Sequence, residues 1–144
     1  EAADRVRRHA GLNPNQRLDK PLLVLVTKSD VWSSLIDEDL SVEPYITPVA
    51  GAVGQVDMTR VETVSAKVRD LLRQTSPEFV AAAEDFCDPV LYIPVSATGA
   101  SPVADGEGND LYVRPCDLKP SWVTVPILYA FARWSSGLIE GIRH

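Results

Sequence analysis

With 144 residues, 45% of them hydrophobic and 24% charged, the chain has an ordinary globular composition and enough length to bury a core as a single domain or domain fragment. Its formal net charge of −6 argues against nucleic acid or an anionic membrane surface as a partner, and no stretch approaches the roughly 20 apolar residues of a membrane span. Cys87 and Cys116 have neither C-x-x-C spacing nor a neighbouring histidine, which argues against zinc and leaves reduced thiols in a cytoplasmic protein as the expectation.

The chain opens at Glu1 in what reads as mid-helix, and a piece of something larger is expected. Residues 1–10 read as the last turns of a helix stopped by Gly11 and Pro14. Its basic cluster, Arg5, Arg7, Arg8 and His9, reads as a solvated face. A polar connector leads to Leu22–Val26, a continuous aliphatic run of the length of a buried strand. A short helix is expected to start at Val31, and residues 37–56, with Pro44, Pro48, Gly51 and Gly54, read as an irregular insertion with room for strands in 42–56.

The clearest helix carries Val61, Val64, Val68, Leu71 and Leu72 on one face, with Asp57 as its N-cap and Arg60, Glu62, Lys67, Arg69 and Asp70 outward. Ser76-Pro77-Glu78 opens a second helix with the stripe Phe79, Val80, Ala83, Phe86 and Cys87. Val90–Val95 follows as a strand, and its Pro94 points to an edge position or a bulge. Residues 99–120 read as a long loop with an extended piece at 111–113. Trp122 and Val123 read as an extended arm into a closing helix over 126–139, apolar on most sides. Trp122, Tyr129, Phe131 and Trp134 are expected in the core. Strand, helices, strand, helix is an α/β order, predicting a partial, mostly parallel sheet flanked by helices.

Both strands break into small polar residues, Thr27-Lys28-Ser29-Asp30 after the first and Ser96-Ala97-Thr98-Gly99 after the second. Carboxyl ends of buried parallel strands are where α/β sheets open onto ligands. In this order the two tetrapeptides resemble the guanine-reading [NT]-K-x-D and S-A-[KLT] motifs of P-loop GTPases. The resemblance implies the C-terminal half of such a domain. In it, Asp30 accepts the N1 and N2 hydrogens of guanine, Lys28 lays its stem over the purine, and Thr27 braces the neighbouring loops. Ser96 fixes a turn, the Ala97 N–H faces guanine O6, and Thr98 stands where lysine is common.

Two departures qualify the resemblance. Asp30 and Ser96 lie 66 residues apart, a longer interval than in compact small GTPases, so an insertion separates the motifs. No G-x-x-x-x-G-K-[ST] occurs, so the chain has no cradle for phosphates and no hydroxyl for magnesium. The expectation is therefore guanine recognition without hydrolysis by this chain, with no catalytic or metal-binding residue of its own. GTP or GDP, magnesium and an N-terminal half of the same protein would belong to the intact parent. The alternative is a GTPase-like scaffold or protein-interaction module that binds no nucleotide, with Asp30 as an ordinary helix N-cap.

Other constellations are weaker. Asp105-Gly-Glu-Gly-Asn-Asp110 echoes a single calcium-binding repeat of a kind that works in stacks, and as a D-x-x-G switch it lacks a buried strand leading into it. His9 and His144 sit at opposite termini, which leaves a histidine-centred triad without a base.

Overall fold

A computed structural model describes residues 2–13, 16–46, 54–104, 111–135 and 139–142. The strand β1 (Leu22–Val26) pairs in parallel with β4 (Val90–Pro94), Leu22 opposite Val90 and Val26 opposite Pro94. Between them in sequence lie the short helix α2 (Ser29–Trp32), the strands β2 (Tyr45–Ile46) and β3 (Gln55–Asp57), and the helices α3 (Met58–Thr75) and α4 (Pro77–Phe86). The chain begins with α1 (Ala2–His9) and continues after β4 through the short strands β5 (Val103–Ala104) and β6 (Leu111–Tyr112), then α5 (Val125–Trp134) and β7 (Glu140–Ile142). The architecture is mixed α/β, with short parallel pairings and helices, as the element order predicts.

Helix α3 forms for the reason its sequence suggests. Asp57 caps it, its carboxylate accepting from Arg60 N–H at 2.9 Å. Val61, Val64 and Val68 are buried against β4, where Tyr92 and Ile93 are fully enclosed. Each such aliphatic side chain contributes about 1.5–3 kcal/mol by leaving water. Ser65 interrupts the stripe usefully, because its Oγ accepts from Tyr92 N–H at 2.8 Å and satisfies a buried donor.

Several expectations change in three dimensions. The stretch 42–56, left with room for strands, carries β2 and the start of β3, and what changes is their partner: β3 pairs in parallel with β7 on a sheet separate from β1 and β4. The loop 99–120 holds the antiparallel β5–β6 pair and a 3-10 turn at Pro115–Asp117. The closing helix ends at Trp134, and the chain then forms β7 on a second sheet. Trp122 is no extended arm; it sits in the left-handed region at φ 57°, fully buried. Trp122 and Tyr129 belong to the core, whereas Phe131 and Trp134 are 41% and 44% exposed, because helix α5 buries only one face. Phe79 likewise points to solvent while Val80 and Ala83 pack inward.

The basic face of α1 is partly engaged. Arg7 donates to Asp85 and to Gln16 O, and its guanidinium lies 5.4 Å from the Phe86 ring centre, tying α1 to α4. Both cysteines are free, Cys87 buried and Cys116 exposed. Among the described residues no helix is long and apolar enough to cross a membrane.

Candidate functional site

The carboxyl ends of β1 and β4 lie side by side because the two strands are parallel and in register. The ladder continues past the strands, with Val95 N–H donating to Val26 O at 3.0 Å and Ser29 N–H to Val95 O at 3.2 Å. This brings the two tetrapeptides together. Ser96 Oγ donates to Asp30 Oδ1 and accepts from Gly99 N–H at 2.9 Å. Asp30 is the second residue of α2, which starts at Ser29, so it is not the N-cap of a helix beginning at Val31.

The turn that aims Asp30 is strained. Lys28 occupies the left-handed region at φ 57°, ψ 40°, where a Cβ costs roughly 1–2 kcal/mol. It is held there by Trp32, whose indole N–H donates to Thr27 O at 2.9 Å, and by Val31 N–H on Lys28 O at 3.0 Å. Strain of this kind persists where surrounding contacts overdetermine it, and it concentrates at functional sites.

Opposite, the 96–99 turn is closed by a return segment that sequence reasoning missed. Ser96 and Ser121 exchange both backbone hydrogen bonds, at 3.0 and 2.9 Å, and Lys119 N–H donates to Thr98 O at 2.8 Å. Gly99 is obligatory here: at φ 65°, an added Cβ would fall 1.8 Å from Lys119 O. Ser121 Oγ donates to Leu40 O at 2.7 Å, and Trp122 N–H to Glu43 Oε1 at 2.8 Å, fastening the return segment to 40–43. No local pattern in 119–121 signals these contacts.

Between these walls lies a cleft of about 790 Å³, lined by Asp30, Ser96, Asp37, Glu38, Asp39 and Lys119 among others. Of the six residues the sequence nominated, Asp30 and Ser96 line it. Thr27, Lys28 and Ala97 are exposed beside it, and Thr98, half-buried, donates its hydroxyl to Ala100 O at 3.0 Å. The acidic wall is anchored from α3, where Lys67 donates to Asp37 O and pairs with Glu38, and Arg60 donates to Asp39 O. Arg60 and Lys67, expected simply to face outward, thus fasten the 37–39 wall of the cleft to α3. The Ser41 hydroxyl and then its N–H, both donating to Asp39, hold that carboxyl below its ordinary range.

Four carboxylates against one lysine make the cleft a collection of acceptors, suited to ligand donors and hostile to phosphate. Among the described residues no cluster of three or more His, Cys, Asp or Glu is arranged to hold a metal ion. The Asp105–Asp110 run lies outside the described residues. Comparisons with protein-family models, with curated proteins and with solved structures find no match to this chain.

Proposed function

We propose that this chain is the guanine-recognition portion of a GTP-binding protein and does not hydrolyse GTP by itself. The observation that carries the reading is the meeting of Asp30 and Ser96 at the ends of two paired parallel strands, across 66 residues of sequence. With Ser96 on Oδ1, the carboxylate is held in one orientation, and its remaining lone pairs are those a guanine N1–H and N2–H pair would use. Each such charge-assisted hydrogen bond is worth about 1.5–3 kcal/mol. The strained Lys28 beside it fits a stacking role better than a structural one. The acidic cleft supports recognition of the base end and agrees with the missing phosphate loop, leaving phosphates and magnesium to the rest of the parent.

The test uses the intact protein. GDP, but not ADP, raises its melting temperature through linkage to the folded state, and Asp30→Asn moves the preference from guanine to xanthine nucleotides. Equal responses to GDP and ADP in the wild type, or guanine selectivity unaltered by Asp30→Asn, overturn the assignment. The first of these results favours the interaction-module alternative.

A further inference from the structure

The 119–121 return segment carries the one cation that lines the cleft, Lys119. Its backbone is firmly held. Lys119 N–H donates to Thr98 O at 2.8 Å, Ser121 exchanges both backbone hydrogen bonds with Ser96, and the Ser121 hydroxyl reaches Leu40 O at 2.7 Å. Gly99 lets Lys119 O come close, since a Cβ there would lie 1.8 Å from that oxygen. Lys119 is thus fastened at Thr98 and Gly99 to the turn after β4, the same turn that Ser96 joins to Asp30. The residue itself is exposed. Among the described residues no carboxylate pairs with its ammonium, although four line the same cleft: Glu38 is paired with Lys67, Asp39 receives Ser41, and Asp30 receives Ser96.

Guanine presents donors at N1 and N2 and acceptors at O6 and N7. In the reading proposed above, Asp30 takes both donors and the Ala97 N–H faces O6, which leaves N7 without a partner. The carboxylates lining the cleft are acceptors only and cannot serve it. We infer that Lys119 completes the base site by donating from its ammonium to guanine N7, as a specificity residue supplied by a segment outside both tetrapeptide motifs. The inference rests on guanine recognition at Asp30 and adds the contact which that reading lacks. Its placement follows from order along the base. O6 and N7 are neighbours on one edge, and Lys119 is fastened to the two residues that directly follow Ala97. The charge agrees. An ammonium is drawn to the O6–N7 edge, where lysine and arginine also read guanine in nucleic acids. Adenine sets an amino donor beside its N7, so the same ammonium meets a donor there, and Lys119 adds to the discrimination that Asp30 begins. The acidic lining keeps free phosphate from the one cation that would otherwise attract it.

The experiment is equilibrium binding of GDP and of 7-deaza-GDP, in which a C–H replaces N7, to the intact protein and to its Lys119→Met variant. The wild type is expected to bind GDP roughly tenfold or more tighter than 7-deaza-GDP, the worth of a hydrogen bond from a charged donor. Lys119→Met is expected to bind the two alike, and Lys119→Arg, which keeps a charged donor, to retain part of the difference. Equal binding of GDP and 7-deaza-GDP by the wild type overturns the inference, and that comparison needs no variant to fold. A Lys119→Met protein that weakens both ligands by the same factor also overturns it, since a lysine serving only the turn would act on both. Failure of the base reading itself looks different: GDP and ADP then bind alike, and this inference falls with it. A protein that prefers GDP to ADP but ignores N7 keeps Asp30 as the reader of the base and removes Lys119.

Discussion

Ser96 Oγ donates to Asp30 Oδ1 while accepting from Gly99 N–H, so one hydroxyl, 1% exposed as a residue, joins the ends of two strands and the turn that follows the second. That single group sets both the orientation of the carboxylate and the shape of the cleft rim.

Ser96→Ala removes both bonds and leaves Gly99 N–H without its acceptor. Unfolding in denaturant should show a loss of about 1–3 kcal/mol. In the intact protein, guanine-nucleotide affinity should fall while the preference for guanine over xanthine persists, because Asp30 keeps its charge.

Lys28→Gly separates strain from function. Glycine accepts the left-handed turn, so stability should rise by up to about 1 kcal/mol, reduced in part by the freedom glycine adds to the unfolded chain. Guanine-nucleotide binding by the intact protein should weaken at the same time. A variant that loses stability would show that the lysine stem, rather than the turn, matters to folding.

Gly99→Ala drives a methyl group into Lys119 O and demands positive φ of alanine. A loss of about 2 kcal/mol or more is expected in the same denaturant assay. Gly11→Ala shares the positive φ but meets no atom within 4 Å, and should cost less.

The Arg69–Glu84 pair and Tyr92 give opposite pH limbs. The hydrogen bonds from Arg69, its largest influence, hold the Glu84 carboxyl below its ordinary value. The folded state therefore binds the proton less readily than the unfolded one, and this contribution is full above the unfolded value of 4.5 and is lost as pH falls through the lower folded value. Glu84→Gln should flatten the acid limb. Tyr92, pushed up to about 12 chiefly by burial and then by Glu84, is neutral in the folded state when an unfolded tyrosine is already ionising. Stability is unaffected below pH 10 and should fall by about 1.4 kcal/mol per unit between the unfolded value of 10 and the folded one near 12. Tyr92→Phe should remove that limb from a pH series of melts.

Thiol titration offers a direct check of burial. Cys116 is exposed, whereas Cys87 is buried and its thiol is pushed up by desolvation. A thiol-specific reagent should modify one cysteine rapidly in the native protein and both after denaturation.

Much of this molecule is written locally. The 22–26 run, the valines of α3 at helical spacing, Asp57 as a cap and the Ser76-Pro77 start each carry their own structure, because burial periodicity and capping act over a few residues. Asp30 and Ser96 were legible as candidates for the same reason: each ends an apolar strand in small polar residues. Local pattern could not say that they touch, since the contact depends on the parallel register of β1 and β4. Nor did it reveal the return of 119–121 onto the second turn, the acidic wall held by Arg60 and Lys67, or the pairing of β3 with β7. Those strands are only three residues long, too short for a period to show, and they form because a distant partner supplies their hydrogen bonds. Local pattern thus marks the helices, the buried strands and the residues chemically equipped for a ligand. Which of them meet is set in three dimensions, because strand register and chain return depend on packing between segments that carry no record of one another.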